Sequence, residues 1–275
     1  MNIQSTLEKI KKGDKTSLAQ AITLVESTNH KDRKLSEELM SHIEPLSGKS
    51  LRIGITGTPG VGKSTFINNL GQHILQNNSH KKIGVLAIDP SSPVQGGSIL
   101  GDKVRMQELA NNDRVFIRPS PNSQMSGGIA PRTREAMLLM EAGGYDLMMI
   151  ESVGVGQAEH DVSHLVDMFI VLIMPATGDD IQGLKKGLLE LADLVVVHKC
   201  DKELTSSAKR TKTILEHNLS SYLHTHSKKP PIRLASSLEN YNLEEIWRDI
   251  ETLTRNIDKQ EKRKIQLNHW LEQEL

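Results

Sequence analysis

The stretch GTPGVGKST sets Gly57, Gly60 and Gly62 ahead of Lys63, Ser64 and Thr65. This is the G-x-x-x-x-G-K-[ST] spacing, in which glycines let backbone N–H groups turn inward around phosphate oxygens. Thr58, Pro59 and Val61 fill the variable positions and lend their backbone to the same cradle. Lys63 adds a point charge at the β/γ end of a bound nucleotide, and the Ser64 hydroxyl faces Mg²⁺. The context agrees, because the apolar run LRIGIT leads into the loop and STFINNLGQHIL, a helical pattern, leaves it. A chance glycine-rich turn would lack both flanks.

Such a loop needs an acid at the end of a neighbouring strand to hold the metal or its water. DLMMIESVGVGQ offers Glu151 after an apolar run, and Gly154 and Gly156 leave room for the following loop to approach the terminal phosphate. Asp146, at the other end of that strand, reads as a turn residue. KIGVLAIDPSSP ends in Asp89 and runs into VQGGSILGDKVRM, where Gly96, Gly97 and Gly101 permit movement and Asp102 supplies a second carboxylate for the metal sphere. A third glycine-rich strand end, IMPATGDDIQGLKKGLLELAD, carries Gly178, Asp179, Asp180, Gln182, Lys185 and Lys186. Alone, its lysines would read as solvated helix residues; with Gly183 and Gly187 beside them they point to another moving segment.

The base should be chosen by LVVVHKCDKE, a strand that ends in His198, Lys199, Cys200 and Asp201. A carboxylate accepts from both N1–H and N2–H of guanine, whereas adenine has a lone pair at N1 and no N2 amine. By analogy with base-edge readout, such a bidentate contact is worth roughly 1–3 kcal/mol. Lys199 can lay its stem along the base plane. His198 stands where guanine-binding loops usually carry asparagine. Its ring can donate from one nitrogen and accept at the other, but it is larger and can become charged, so weaker affinity is expected without a change of base. Cys200 reads as a small packing residue. The second base loop, LASSLENYNLEEIW, contributes Ala235 and Ser236.

These groups need strands to carry them. LRIGIT, KIGVLAID, RVFIRPS, DLMMIES, DMFIVLIM, LVVVHK and PIRLAS are apolar throughout and alternate with helix-length segments, the pattern of a mostly parallel sheet covered on both faces. The expected fold is a doubly wound α/β P-loop domain. Residues 1–48 show helical spacing, clearest in Leu18, Ile22 and Val25, and form a helical extension. The nucleotide-binding domain is expected over 49–254, and 255–275 reads as a helical arm.

Lys+Arg and Asp+Glu balance at 34 each, so no overall field recruits nucleic acid or an anionic membrane. Cys200 is the single cysteine, which excludes an intramolecular disulfide and any cysteine-based metal cluster within one chain. The first residues have neither the apolar core of a signal peptide nor the arginines of a transit peptide, and MFIVLIM is far short of the roughly 20 residues of a membrane helix. A cytoplasmic location is expected. With 11 histidines, the pair His160 and His164 is expected by chance, and HTH at 224–226 reads as solvated.

AITLVES, GITGTPGVGKST, IDPSSP, GGSILGDKVRM, ESVGVGQAE, GDDIQGLKKGLLELAD and QLNHWLEQEL together resemble the MeaB/ArgK family of P-loop GTPases, relatives of the methylmalonic aciduria type A protein. The resemblance spans nearly the whole chain. It implies a GTPase that serves an adenosylcobalamin-dependent mutase of the methylmalonyl-CoA type, as a chaperone for cobalamin loading or protection, and a homodimer joined through helical termini. Slow hydrolysis without the partner is expected where water and arginine-finger positions are incomplete. It also implies that Gly57 to Thr65 hold phosphates and that Ser64, Asp89, Asp102 and Glu151 surround Mg²⁺. Lys63, Glu151 and Asp102 then form the catalytic set, and 177–188 is the switch that senses the partner. The chain departs from the family at His198, at Asn240 and Asn242 where glycines are usual, and in a short tail that suggests an incomplete dimer arm. Two other functions fit the same loop. A nucleotide-dependent regulator with negligible hydrolysis remains open, whereas a metal-insertion GTPase is disfavoured by the single cysteine and the lack of a His tract.

Overall fold

A computed structural model describes residues 2–89, 106–121, 132–152, 157–175, 186–221 and 229–274. Helices α1 (Ile3–Lys11), α2 (Lys15–Glu26) and α3 (His30–Ile43) open the chain. Each begins on a side-chain cap: Asn2, Asp14 and Asn29 accept from backbone N–H groups of the first turn. There follow β1 (Leu51–Gly57), α4 (Lys63–Asn77), β2 (Ile83–Asp89), a short α5 (Gln107–Ala110), β3 (Val115–Pro121), α6 (Thr133–Ala142), β4 (Leu147–Glu151) and α7 (Gln157–Leu165). The chain continues through β5 (Met168–Ile173), α8 (Lys186–Glu190), β6 (Leu194–Val197), α9 (Thr205–Ser221), β7 (Ile232–Leu234), α10 (Leu243–Thr254) and α11 (Lys259–Glu274).

The strands form one seven-stranded sheet in the order β3-β2-β4-β1-β5-β6-β7, and every pairing is parallel. The apolar runs fall in these strands because both faces are covered. On one face Ile53, Ile55, Met149 and Ile170 pack under Phe66, Ile67 and Leu70 of α4 and Ile246 and Trp247 of α10. On the other, Met148, Ile150, Phe169 and Val171 meet α6, α7 and α9, and the same core continues into Ile10, Ile22 and Leu39 of the first three helices. The parallel arrangement brings all carboxyl ends of the strands to one edge, where ligands of doubly wound sheets bind.

The opposite edge is held by charge. Arg52, 3% exposed, pairs with Glu141 at 2.7 Å and donates to Gln266 at 3.1 Å. Glu141 also accepts from Ser50 Oγ and the Gly48 N–H. Asp167 accepts from the Arg52 N–H at 2.9 Å and from the Arg263 guanidinium, which in turn donates to the Ser50 carbonyl at 2.9 Å. Gln266 closes the network by donating to the Val166 carbonyl at 2.9 Å. Burial pushes the Glu141 carboxyl up, but the Arg52 charge and its hydrogen bonds bring it below the usual range. Through Arg263 and Gln266 the final helix docks on its own chain, while Ile265 and Leu271 face outward. Asp146 accepts from the Lys82 N–H at 2.9 Å, the turn role read from the sequence.

Candidate functional site: a phosphate loop joined to a base-reading loop

At the carboxyl end of β1 the chain makes a tight turn on glycines. Gly57, Gly60 and Gly62 have φ of 151°, 80° and 93°, values in the region that favours glycine. A Cβ on Gly57 would lie 2.4 Å from the Leu172 carbonyl oxygen, whereas one on Gly60 would meet nothing within 4 Å. The loop is therefore closed against β5 on one side and open on the other, the side where an anion can sit. Gly62 caps α4 without a side-chain hydrogen bond, so the first-turn N–H groups keep their capacity for an external acceptor.

Lys63 Nζ donates to the Gly57 carbonyl at 2.8 Å. Burial lowers its pKa, while Glu151 and Glu159 oppose the shift. Ser64 Oγ donates to Glu151 Oε1 at 3.0 Å, which joins the start of α4 to the end of β4. Both side chains are buried, at 7% and 9% exposure. A hydroxyl and a carboxylate are hard oxygen donors of the kind that suits Mg²⁺.

The base-reading loop leaves β6 at His198, whose N–H donates to the Ile173 carbonyl at 2.8 Å. His198 is 2% exposed. Its Nδ1 lies 2.7 Å from the Val61 carbonyl oxygen and its Nε2 lies 2.7 Å from Ser237 Oγ. Phe66 presents its ring to the imidazole edge-on at 5.6 Å. Lys199 then turns with φ of 60°, and Cys200, 3% exposed, donates its N–H to the Ala235 carbonyl at 2.9 Å. Burial raises the Cys200 thiol pKa, as suits a packing residue. Asp201 accepts from the Ser236 hydroxyl, which ties the two base loops together.

The structure thus brings Lys63, Ser64 and Glu151 into one group and His198, Asp201, Ala235 and Ser236 into another, with His198 joining the two at Val61. Asp89 closes β2, but its side chain lies outside the described residues, as do Asp102, Gly154, Gly156, Gly178, Asp179, Asp180, Gln182 and Lys185. Lys186 begins α8, and neither its side chain nor that of Gln157 is among the described ones. The HTH segment also falls outside.

Three participants escaped the sequence reading. Ser237 holds His198, and Asn69 of α4 donates to the Ser237 carbonyl at 2.6 Å and to Asn240 Oδ1 at 3.2 Å. Phe66 walls the imidazole. Ser237 could have been found from its place beside Ser236; nothing in the local pattern marks Asn69 or Phe66. The two asparagines in glycine positions are explained by backbone geometry. Asn240 and Asn242 have φ of 50° and 61°, and asparagine is among the few residues that enter this region readily.

His160 and His164 meet edge-on with ring centroids 4.6 Å apart, and the His269 ring of α11 lies tilted against His164 at 3.7 Å. Among the described residues no group of three or more His, Cys, Asp or Glu is placed to hold a metal ion. Nor is any described helix long and apolar enough to cross a membrane.

A parallel sheet with a glycine loop feeding helix α4 places the protein among the P-loop nucleotide-binding folds. The chain belongs to the MeaB family: the family model described as "Methylmalonyl Co-A mutase-associated GTPase MeaB" matches residues 18–274. The GTPase ArgK of Escherichia coli (strain K12) is 45% identical over 253 residues, which are 90% of this chain and 75% of that protein. The mitochondrial methylmalonic aciduria type A homolog of Mus musculus is 48% identical over 209 residues, 72% of this chain and 50% of that protein. Among solved structures, one titled as a LAO/AO transport system kinase superposes with a TM-score of 0.81 at 35% identity, covering 100% of this chain and 84% of that one. HypB from Helicobacter pylori, solved with nickel, shares the fold at a TM-score of 0.53 and 20% identity, covering 80% of this chain and 93% of that one.

Proposed function

We propose that the chain binds GTP, hydrolyses it slowly to GDP and phosphate, and couples that cycle to an adenosylcobalamin-dependent mutase of the methylmalonyl-CoA type. The observation that carries the nucleotide reading is the 2.7 Å link from His198 to Val61, which fixes the Asp201 loop to the phosphate loop. One ligand with a base and phosphates would then engage both. Asp201 would take the guanine edge beside Ala235 and Ser236, with the Lys199 stem along the base. The N–H groups of Gly60 to Thr65 and the Lys63 ammonium would draw the phosphates. Ser64 and Glu151, joined by Asp89 and Asp102, would hold Mg²⁺, which when bound offsets charge on the β- and γ-phosphate oxygens.

The mutase partner is supported by the family's description and by the relative named for methylmalonic aciduria. On this reading the GTPase serves as a chaperone of cobalamin loading or protection in the cytoplasm, and the segment 177–188 senses the partner. Exposed Ile265, Leu267 and Leu271 on α11 support a homodimer contact, which light scattering would test against the monomer mass.

Calorimetry with GDP and ADP, each with Mg²⁺, tests the base reading. GDP should bind more tightly, and Asp201→Asn should remove the preference, a loss of roughly 1–3 kcal/mol. Equal affinity for ADP would overturn it. Single-turnover hydrolysis should accelerate across a titration with the mutase, as partner-completed GTPases do by roughly 10³–10⁵. A flat response would remove the coupling.

A further inference from the structure

The histidine that replaces the usual asparagine at the start of the base loop is held by two different kinds of partner. A carbonyl oxygen can only accept, so the Val61 contact at 2.7 Å places the proton on Nδ1 of His198. The neutral ring must then accept at Nε2, and the Ser237 hydroxyl, 2.7 Å away, donates to it. The fit is tight as well as polar. A Cβ on Gly62 would lie 3.0 Å from Cε1 of the same ring, and Phe66 closes the other side. Three segments distant in sequence therefore meet on one imidazole: the phosphate loop, the base loop and the second base loop.

We propose that His198 is a positioning residue that holds the nucleotide pocket together as a neutral Nδ1–H imidazole, and that taking up a proton there weakens nucleotide binding. The proposal rests on the guanine-nucleotide reading above. A protonated ring would donate from both nitrogens. Ser237 would have to turn its hydroxyl proton away and accept instead, and a cation would sit in a site that is 2% exposed. Among the described residues the ionised groups facing the ring are Asp201, which favours the cation, and Lys199, which opposes it. The phosphate loop, α4 and the second base loop contribute Val61, Gly62, Phe66 and Ser237, none of them ionised. Burial is the largest influence and lowers the imidazole pKa below its ordinary value, with the Val61 bond and Asp201 opposing. At neutral pH the ring is accordingly in its binding form. As pH falls through the depressed value the pocket loses its latch. An amide at this position has no such proton to gain.

The test is GDP–Mg²⁺ affinity of the full chain by calorimetry from pH 8 to pH 5, for the native protein and His198→Asn. Titration of the nucleotide's own phosphate is common to both and cancels in the ratio. Below the midpoint the native dissociation constant should rise relative to that of His198→Asn by up to about tenfold per pH unit, the limit for one linked proton. Parallel profiles would overturn the proposal. In parallel, ¹⁵N resonances of the His198 ring in the nucleotide-free protein report the tautomer directly. A proton on Nδ1 with an Nε2 shift that moves in Ser237→Ala supports the latch, and a proton on Nε2 or a charged ring at pH 7 refutes it. If neither GDP nor ADP binds at any pH, the nucleotide reading fails, and the ring resonances still decide the state of His198.

Discussion

At the scale of single residues the site depends on backbone positions as much as on charged groups. Gly62 is one case, since its φ of 93° strains any residue with a side chain and a Cβ there would press on the His198 ring at 3.0 Å. Gly62→Ala should lower stability by about 1–3 kcal/mol, the cost of a strained backbone position, and weaken GDP binding as the ring is displaced. Thermal unfolding and calorimetry check the two effects, and a variant that retains both would show that the loop can relax. The residues that bind were legible because chemistry restricts them to a fixed spacing, as Lys63 and Ser64 after Gly62 illustrate. Ser237 and Asn69 were not, because their roles arise from a meeting between α4 and a loop more than 160 residues later, a contact that no local pattern encodes.

At the scale of elements, the strands were readable from uninterrupted apolar runs, and all of them lie in the sheet as expected. The docking of the final helix was not readable. The tail pattern suggested a helical arm without saying what it rests on; Arg263 and Gln266 bind Asp167, Ser50, Arg52 and Val166 of the same chain. Such polar anchors look like ordinary surface residues until their partners are known. Glu141→Gln removes the charge that compensates buried Arg52 and should cost about 3–5 kcal/mol in urea unfolding. The pH sign follows from the depressed carboxyl of Glu141. The unfolded chain takes up the proton first, so this contribution is present above the ordinary glutamate range and is lost as pH falls through the depressed value. The native urea midpoint should therefore decline with acid more steeply than that of the variant.

At the scale of the whole molecule, the first three helices share one continuous apolar core with a face of the sheet, so they should not melt separately. Ile22→Ala, at a position with no exposed surface, should destabilise by about 2–5 kcal/mol and shift a single transition. Circular dichroism and tryptophan fluorescence, the latter read in a Trp270→Phe background so that it reports Trp247 of α10 on the far face, should move together; two separated transitions would refute a shared core. Helical spacing announced these helices, but not which surface they cover. The parallel sheet also sorts the molecule from end to end. β1 is seven residues long, about 20 Å, with the phosphate loop at one tip and the Arg52 network near the other. Ligand recognition and mechanical anchorage thus occupy opposite poles of the same strand, and random variants should divide into two phenotypic classes. One would fold and fail to bind; the other would bind when cold and perish when warmed.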